Sequence, residues 1–161
     1  MTISVERLPD ATEIAALVQQ VVWAFLGEDA QLTDRSSVDS NHTWTGCVMV
    51  EGSFRGAVTV SGSRELALRL GSKMFAAEAA DLSDDEARDA FAEFTNVIGG
   101  NLKSLISTMA GETCKLCLPI VADGTIRIPG PTRRQEAAFV FGDERFAVDI
   151  FELAQADSSV A

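Results

Sequence analysis

Glu93 and Asn96 stand three residues apart in the run Ser83 to Met109, SDDEARDAFAEFTNVIGGNLKSLISTM. On a helix that spacing sets a carboxylate and a carboxamide side by side, with Gly100 one turn beyond Asn96 and bare of side chain. An acid and an amide held together are the beginnings of a polar site. An isolated E-x-x-N pair, however, more often marks only a solvated helix face.

The other candidates are weaker. Cys114-Lys115-Leu116-Cys117 has the C-x-x-C spacing of a redox pair or half a zinc site. On a strand its two sulfurs would point to opposite faces, and no second C-x-x-C or histidine cluster completes a metal site. Both cysteines are therefore expected as small buried hydrophobes. His42 is the only histidine, so histidine triads have little to work with; beside Trp44 at a loop–strand junction, it reads as structural. Arg127, Arg133 and Arg134 form a small basic loop, solvated by default. No P-loop, dinucleotide fingerprint or nucleophile elbow is present.

The elements that must position Glu93 and Asn96 follow from periodicity. Ser83 and Glu86 form a capping box, and Asp84 and Asp85 place negative charge at the positive end of the helix dipole. At about 100° per residue, Phe91, Phe94, Ile98, Leu102, Leu105 and Met109 share one arc, widened by Ala90 and Val97. Glu93, Asn96, Gly100 and Ser107 fall on the opposite arc. Asn101 sits at the edge of the apolar arc, where a buried hydrogen bond is expected. Lys103 flanks the polar arc, free to snorkel or to touch a partner. Two interior glycines cost the helix roughly 1 kcal/mol each relative to alanine. Gly99, nearer the core, fits helix packing; Gly100 fits the close approach of another backbone or a partner loop.

Around that helix, Asp10 and Glu13 form a second capping box. Ile14, Leu17, Val18, Val21, Val22 and Phe25 follow at helical spacing up to Gly27. Glu28 to Asn41 is polar and predicts an exposed loop. Trp44 to Val50 and Phe54 to Val60 predict a hairpin; Leu66, Leu70 and Met74 give the next helix its apolar side. After the long helix, Cys114 to Val121 predicts a buried strand, and TIRIPGPTRRQ predicts a loop with two prolines. Ala137 to Phe141 and Arg145 to Leu153 predict a closing hairpin, with a more polar face at Ala147, Asp149 and Phe151. Strands in antiparallel pairs beside three main helices, one of them long, make the class α+β. Residues 1–153 are expected to form one domain and 154–161 a disordered tail.

The totals set limits. The chain has 161 residues, 47% of them apolar, and a formal net charge of -11 from 24 acidic and 13 basic residues. Such a surface repels phosphate backbones and anionic lipid, so nucleic acid and membrane are disfavoured as partners. MTISVERLPDATE has no apolar h-region, and no apolar run approaches the roughly 20 residues of a membrane helix. Three cysteines in all favour a cytoplasmic, reducing setting.

The run Glu93-Phe94-Thr95-Asn96-Val97-Ile98-Gly99-Gly100-Asn101-Leu102-Lys103-Ser104 resembles the signature helix of the CheX branch of the CheC/CheX/FliY phosphatases. That pattern is a glutamate, an asparagine three on, then a glycine–asparagine pair and often a lysine, here Glu93, Asn96, Gly100, Asn101 and Lys103. Thr45 to Val60, Ser63 to Phe75 and Leu116 to Val121 resemble the family's hairpin, next helix and L-P-containing strand. The resemblance implies a CheC-like fold and a phosphatase acting on the aspartyl phosphate of a CheY-like response regulator receiver domain. It implies that Asn96 orients the attacking water, that Glu93 pairs with the receiver's lysine, and that Gly100 and Lys103 face the partner. It also implies no cofactor of the protein's own, Mg2+ supplied by the receiver, and a homodimer. A non-catalytic receiver-binding module with the same fold is the alternative. Two-site members carry a second E-x-x-N on the first helix; here that helix reads Glu13-Ile14-Ala15-Ala16, so the chain resembles the one-site branch.

Overall fold

Period-two apolar patterning builds the centre of the molecule. Phe146, Val148 and Ile150 alternate along β7 (Glu144–Glu152) and are fully buried, so one face of that strand is core. β6 (Arg133–Phe141) and β7 form the closing hairpin, and β2 (Thr43–Glu51) with β3 (Gly56–Ser63) forms the other. β3 joins the two hairpins by pairing with β7. The result is a seven-stranded antiparallel sheet in the order β1-β6-β7-β3-β2-β4, with β5 also on β2. The computed structural model describes residues 5–38 and 43–155. His42 and residues 156–161 of the expected tail lie outside them.

Three helices cover one face of this sheet. α1 (Ala11–Leu26) starts at the Asp10–Glu13 capping box, with both reciprocal hydrogen bonds present, and stops at Gly27 in the left-handed conformation. α2 (Arg64–Phe75) is capped by Ser63. α3 (Asp84–Ala110) starts at the Ser83–Glu86 capping box and ends on Gly111, φ 71°. Phe94 holds the layers together: its ring meets Phe25 of α1 edge-on at 5.7 Å and Phe146 of β7 at 5.6 Å. Burying one such ring stabilises the fold by about 1.5–3 kcal/mol. The fold is α+β, as the strand pairing implied.

The structure corrects several local expectations. Glu28 to Asn41 is not all loop: Gln31–Thr33 forms β1 against β6, and a 3-10 turn follows at Arg35–Ser37, capped by Asp34. Three residues are too few to carry a readable period. Cys114 to Val121 is not one buried strand. It breaks into β4 (Lys115–Leu116) and β5 (Ile120–Asp123) around Leu118 and Pro119, and Leu118 is 89% exposed. Pro119 has no N–H for a continuous ladder. Arg133 and Arg134 are not in a solvated loop but begin β6; Arg133 makes a two-pronged ion pair to Glu152 at 2.9 and 2.8 Å. Met74 is exposed, and α2 packs through Leu66, Ala67, Leu70 and Gly71.

Candidate functional site

α3 is seated on β2 by a match of repeats. Phe91, Thr95 and Gly99, spaced by four, lie in turn over Trp44, Gly46 and Val48, spaced by two. Four helical residues advance ~6.0 Å and two strand residues ~6.6 Å, so the contacts stay in step for two turns. The bulk alternates between partners. Thr95 fits because Gly46 has no side chain, and Val48 fits because Gly99 has none; a Cβ on either glycine would overlap the opposing side chain. Thr95 is fully buried, and its hydroxyl donates back to the Phe91 carbonyl at 2.9 Å. The role expected of Gly99 in packing is therefore met.

With that arc fixed on the sheet, the opposite arc is turned outward. Glu93 is exposed; Asn96, Gly100 and Lys103 are partly exposed. Neither the Glu93 nor the Asn96 side chain makes a hydrogen bond or ion pair to any described residue. Both heads remain available to something outside the chain, at i and i+3. Asp89, one turn before Glu93, is also exposed. Gly100 has only Leu116 Cδ2 near its absent side chain, 3.8 Å from where a Cβ would stand. No described residue requires glycine there. The Ser104 hydroxyl donates to the Gly100 carbonyl at 3.0 Å, closing that polar group on the helix itself.

Three expectations along α3 change. Asn101 is exposed and makes no buried hydrogen bond. The lower part of the apolar arc runs through Ile106, fully buried, while Leu105 and Met109 are partly exposed. Ser107 accepts from the Cys114 backbone N–H at 3.0 Å and anchors the chain leaving the helix. Thr95 is the residue that sequence reasoning missed. Its signal was Gly46 in a strand interior, which marks the close approach of another element.

Elsewhere, Cys114 is buried and Cys117 partly so, both as free thiols. Glu13 is spent on its cap and on an ion pair with Arg7. No helix among the described residues is long and apolar enough to cross a membrane.

Comparison with known proteins places this geometry in context. The family model described as "Chemotaxis phosphatase CheX" matches residues 44–142, which include nearly all of the β2–β3 hairpin, α2, all of α3 and β6. Among solved structures, the chemotaxis protein CheX of Vibrio vulnificus superposes with a TM-score of 0.73 at 18% identity, covering 87% of this chain and 93% of that one. CheX in a CheX–CheY–BeF3–Mg2+ complex from Borrelia burgdorferi gives 0.68 at 21% identity, covering 91% and 99%. Thermotoga maritima FliY gives 0.63 at 14%, covering 86% and 84%. No curated protein matches the sequence significantly.

Proposed function

The chain belongs to the CheX family of chemotaxis phosphatases, and from that membership we propose that it hydrolyses the aspartyl phosphate of a CheY-like receiver domain with α3 as the docking element. The observation that carries this reading is the outward pair Glu93 and Asn96, whose side chains no described residue pairs, beside a glycine that packing among the described residues does not require. The Borrelia burgdorferi CheX that shares the fold is seen with CheY, which supports a receiver as the partner.

In this reading Glu93 pairs with a receiver lysine and sets the angle at which α3 enters. The Asn96 carboxamide, a donor and an acceptor that carries no charge, holds one water in line with the phosphorus. The water oxygen attacks, the bond from phosphorus to the aspartyl oxygen breaks, and inorganic phosphate leaves a free carboxylate on the receiver. Such a reaction asks mainly for positioning and electrostatics. Gly100 lets the receiver backbone come close, and Lys103 lies at the rim of the contact. Mg2+ belongs to the substrate. A cytoplasmic location goes with a receiver as substrate.

The test is the decay of acyl phosphate on receivers of the same organism. Wild type is expected to shorten the lifetime, and Asn96→Ala to return most of the way to spontaneous decay, a loss of roughly a hundredfold. No acceleration with any receiver would end the enzymatic reading. The second reading, a module that binds receivers without catalysis, would leave phosphate lifetime unchanged while substitutions along the α3 face weaken binding.

A homodimer is part of the proposal, supported by the exposed β4–β5 edge, where Leu118 and Ile120 are 89% and 61% exposed. Light scattering on Leu118→Asp should show a monomer where wild type shows a dimer.

A further inference from the structure

The sheet face turned away from the helices is solvated at Arg134 and Glu136 but buried around Asp149. Asp149 projects from it, 3% exposed, between Ala147 and Phe151 of β7 and level with Thr59 of the neighbouring strand. The loop over residues 125–131 walls one side of a half-open cavity of about 280 Å3 beside it. Arg35, Arg134, Thr59 and Ser61 also line this space.

Asp149 is joined to Arg35 by one long hydrogen bond, donated by Nη2 to Oδ2, and its other carboxylate oxygen accepts none. Asp149 Oδ2 lies 3.5 Å from Arg35 Nη2, and Oδ1 lies 3.6 Å from Arg134 Nη2. Arg35 Nε is 3.7 Å from Glu136 Oε2. Two buried atoms have no hydrogen-bond partner, the acceptor Asp149 Oδ1 and the donor Arg35 Nε. Native interiors seldom leave such atoms unsatisfied, and a pair of opposite kind at one cavity points to a missing occupant.

Charge limits what that occupant is. A simple anion would be drawn to the guanidiniums but pressed against a carboxylate. A bare cation would be drawn to the carboxylate but pressed against the guanidiniums of Arg35 and Arg134, with Arg127 also lining the space. A molecule carrying an acceptor and a donor a bond or two apart satisfies both orphans. The volume, just below the roughly 300 Å3 at which ordinary ligand pockets begin, holds only a small one.

We propose that this cavity binds a small carboxylate bearing a donor on the adjacent carbon, an α-amino or α-hydroxy acid. Arg35 holds the carboxylate, Asp149 takes the donor, and Thr59 and Ser61 stand by as hydroxyl partners. Burial pushes the Asp149 carboxyl above its ordinary range, against the pull of both guanidiniums, and an ammonium or hydroxyl donor would relieve that. The site lies on the opposite face of the sheet from Glu93 and Asn96, so it does not depend on the phosphatase reading.

The experiment is titration calorimetry on the full chain with single L-amino acids, with glycolate and lactate, and with acetate, methylamine and inorganic phosphate as half-ligands. At least one α-amino or α-hydroxy acid is expected to bind saturably, and the half-ligands not to. Asp149→Asn should weaken that binding at least about tenfold, and an amino acid more than a hydroxy acid. Arg35→Gln, at a half-buried position outside the sheet, should weaken it comparably with an unchanged circular dichroism spectrum. The proposal is overturned if no such acid binds, which would leave water as the occupant, if phosphate binds more tightly than any of them, or if Arg35→Gln binds as wild type does.

Discussion

Gly99 and Gly100 are adjacent in sequence yet have different neighbours. A methyl group on Gly99 would overlap Val48 Cγ2, whereas one on Gly100 would meet only Leu116 Cδ2 at an ordinary 3.8 Å. Alanine is the better helix former by about 1 kcal/mol. Gly100→Ala should therefore raise the urea midpoint while lowering the rate of receiver dephosphorylation. Stability and activity moving in opposite directions would locate the need for glycine outside the folded chain. If both rose, Gly100 would have no part in docking. E-x-x-N was legible as a pair, and so was the packing role of Gly99, but its partner Val48 was not, because that depends on which strand lies beneath.

At the scale of elements, α3 can point its polar arc outward only because its other arc is locked on β2. Gly46→Ala would drive a methyl group into Thr95, and overpacking of this kind costs about 1–3 kcal/mol. The midpoint of urea unfolding should fall accordingly, with activity per folded molecule reduced as the helix rotates or lifts. Both capping boxes, all three helices and both hairpins could be read from the sequence, since each rests on local chemistry repeated over many residues. What could not be read were the short pieces. β1 owes its existence to β6 rather than to its own QLT, and β4 and β5 are edge segments with no strand beyond them among the described residues. Arg133 was mistaken for a loop residue because its partner, Glu152, lies across the hairpin. The polar face of β7 was legible; the burial of Asp149 beside the loop over residues 125–131 was not.

Across the whole molecule, buried and paired carboxylates set opposing pH dependences. Arg133 holds the Glu152 carboxyl below its ordinary range. The stability it contributes is present above the unfolded value of about 4.3 and is lost as pH falls through the lower folded one. Asp149, raised by burial, works the other way: its contribution is present below about 3.9 and is lost as pH rises through the folded value. Arg133→Gln should thus destabilise the protein at neutral pH, with the gap in urea midpoint from wild type narrowing as the solution is acidified through the Glu152 transition. A gap constant with pH would remove Glu152 from the account.

The central claim is that Asn96 acts on the reaction and Glu93 mainly on the encounter. Initial rates of phosphate release, measured against increasing concentration of phosphorylated receiver, separate the two. Asn96→Ala should lower kcat by roughly a hundredfold with little change in half-saturation, while Glu93→Ala should chiefly raise the half-saturation concentration. A wild-type kcat retained in Asn96→Ala would contradict the account.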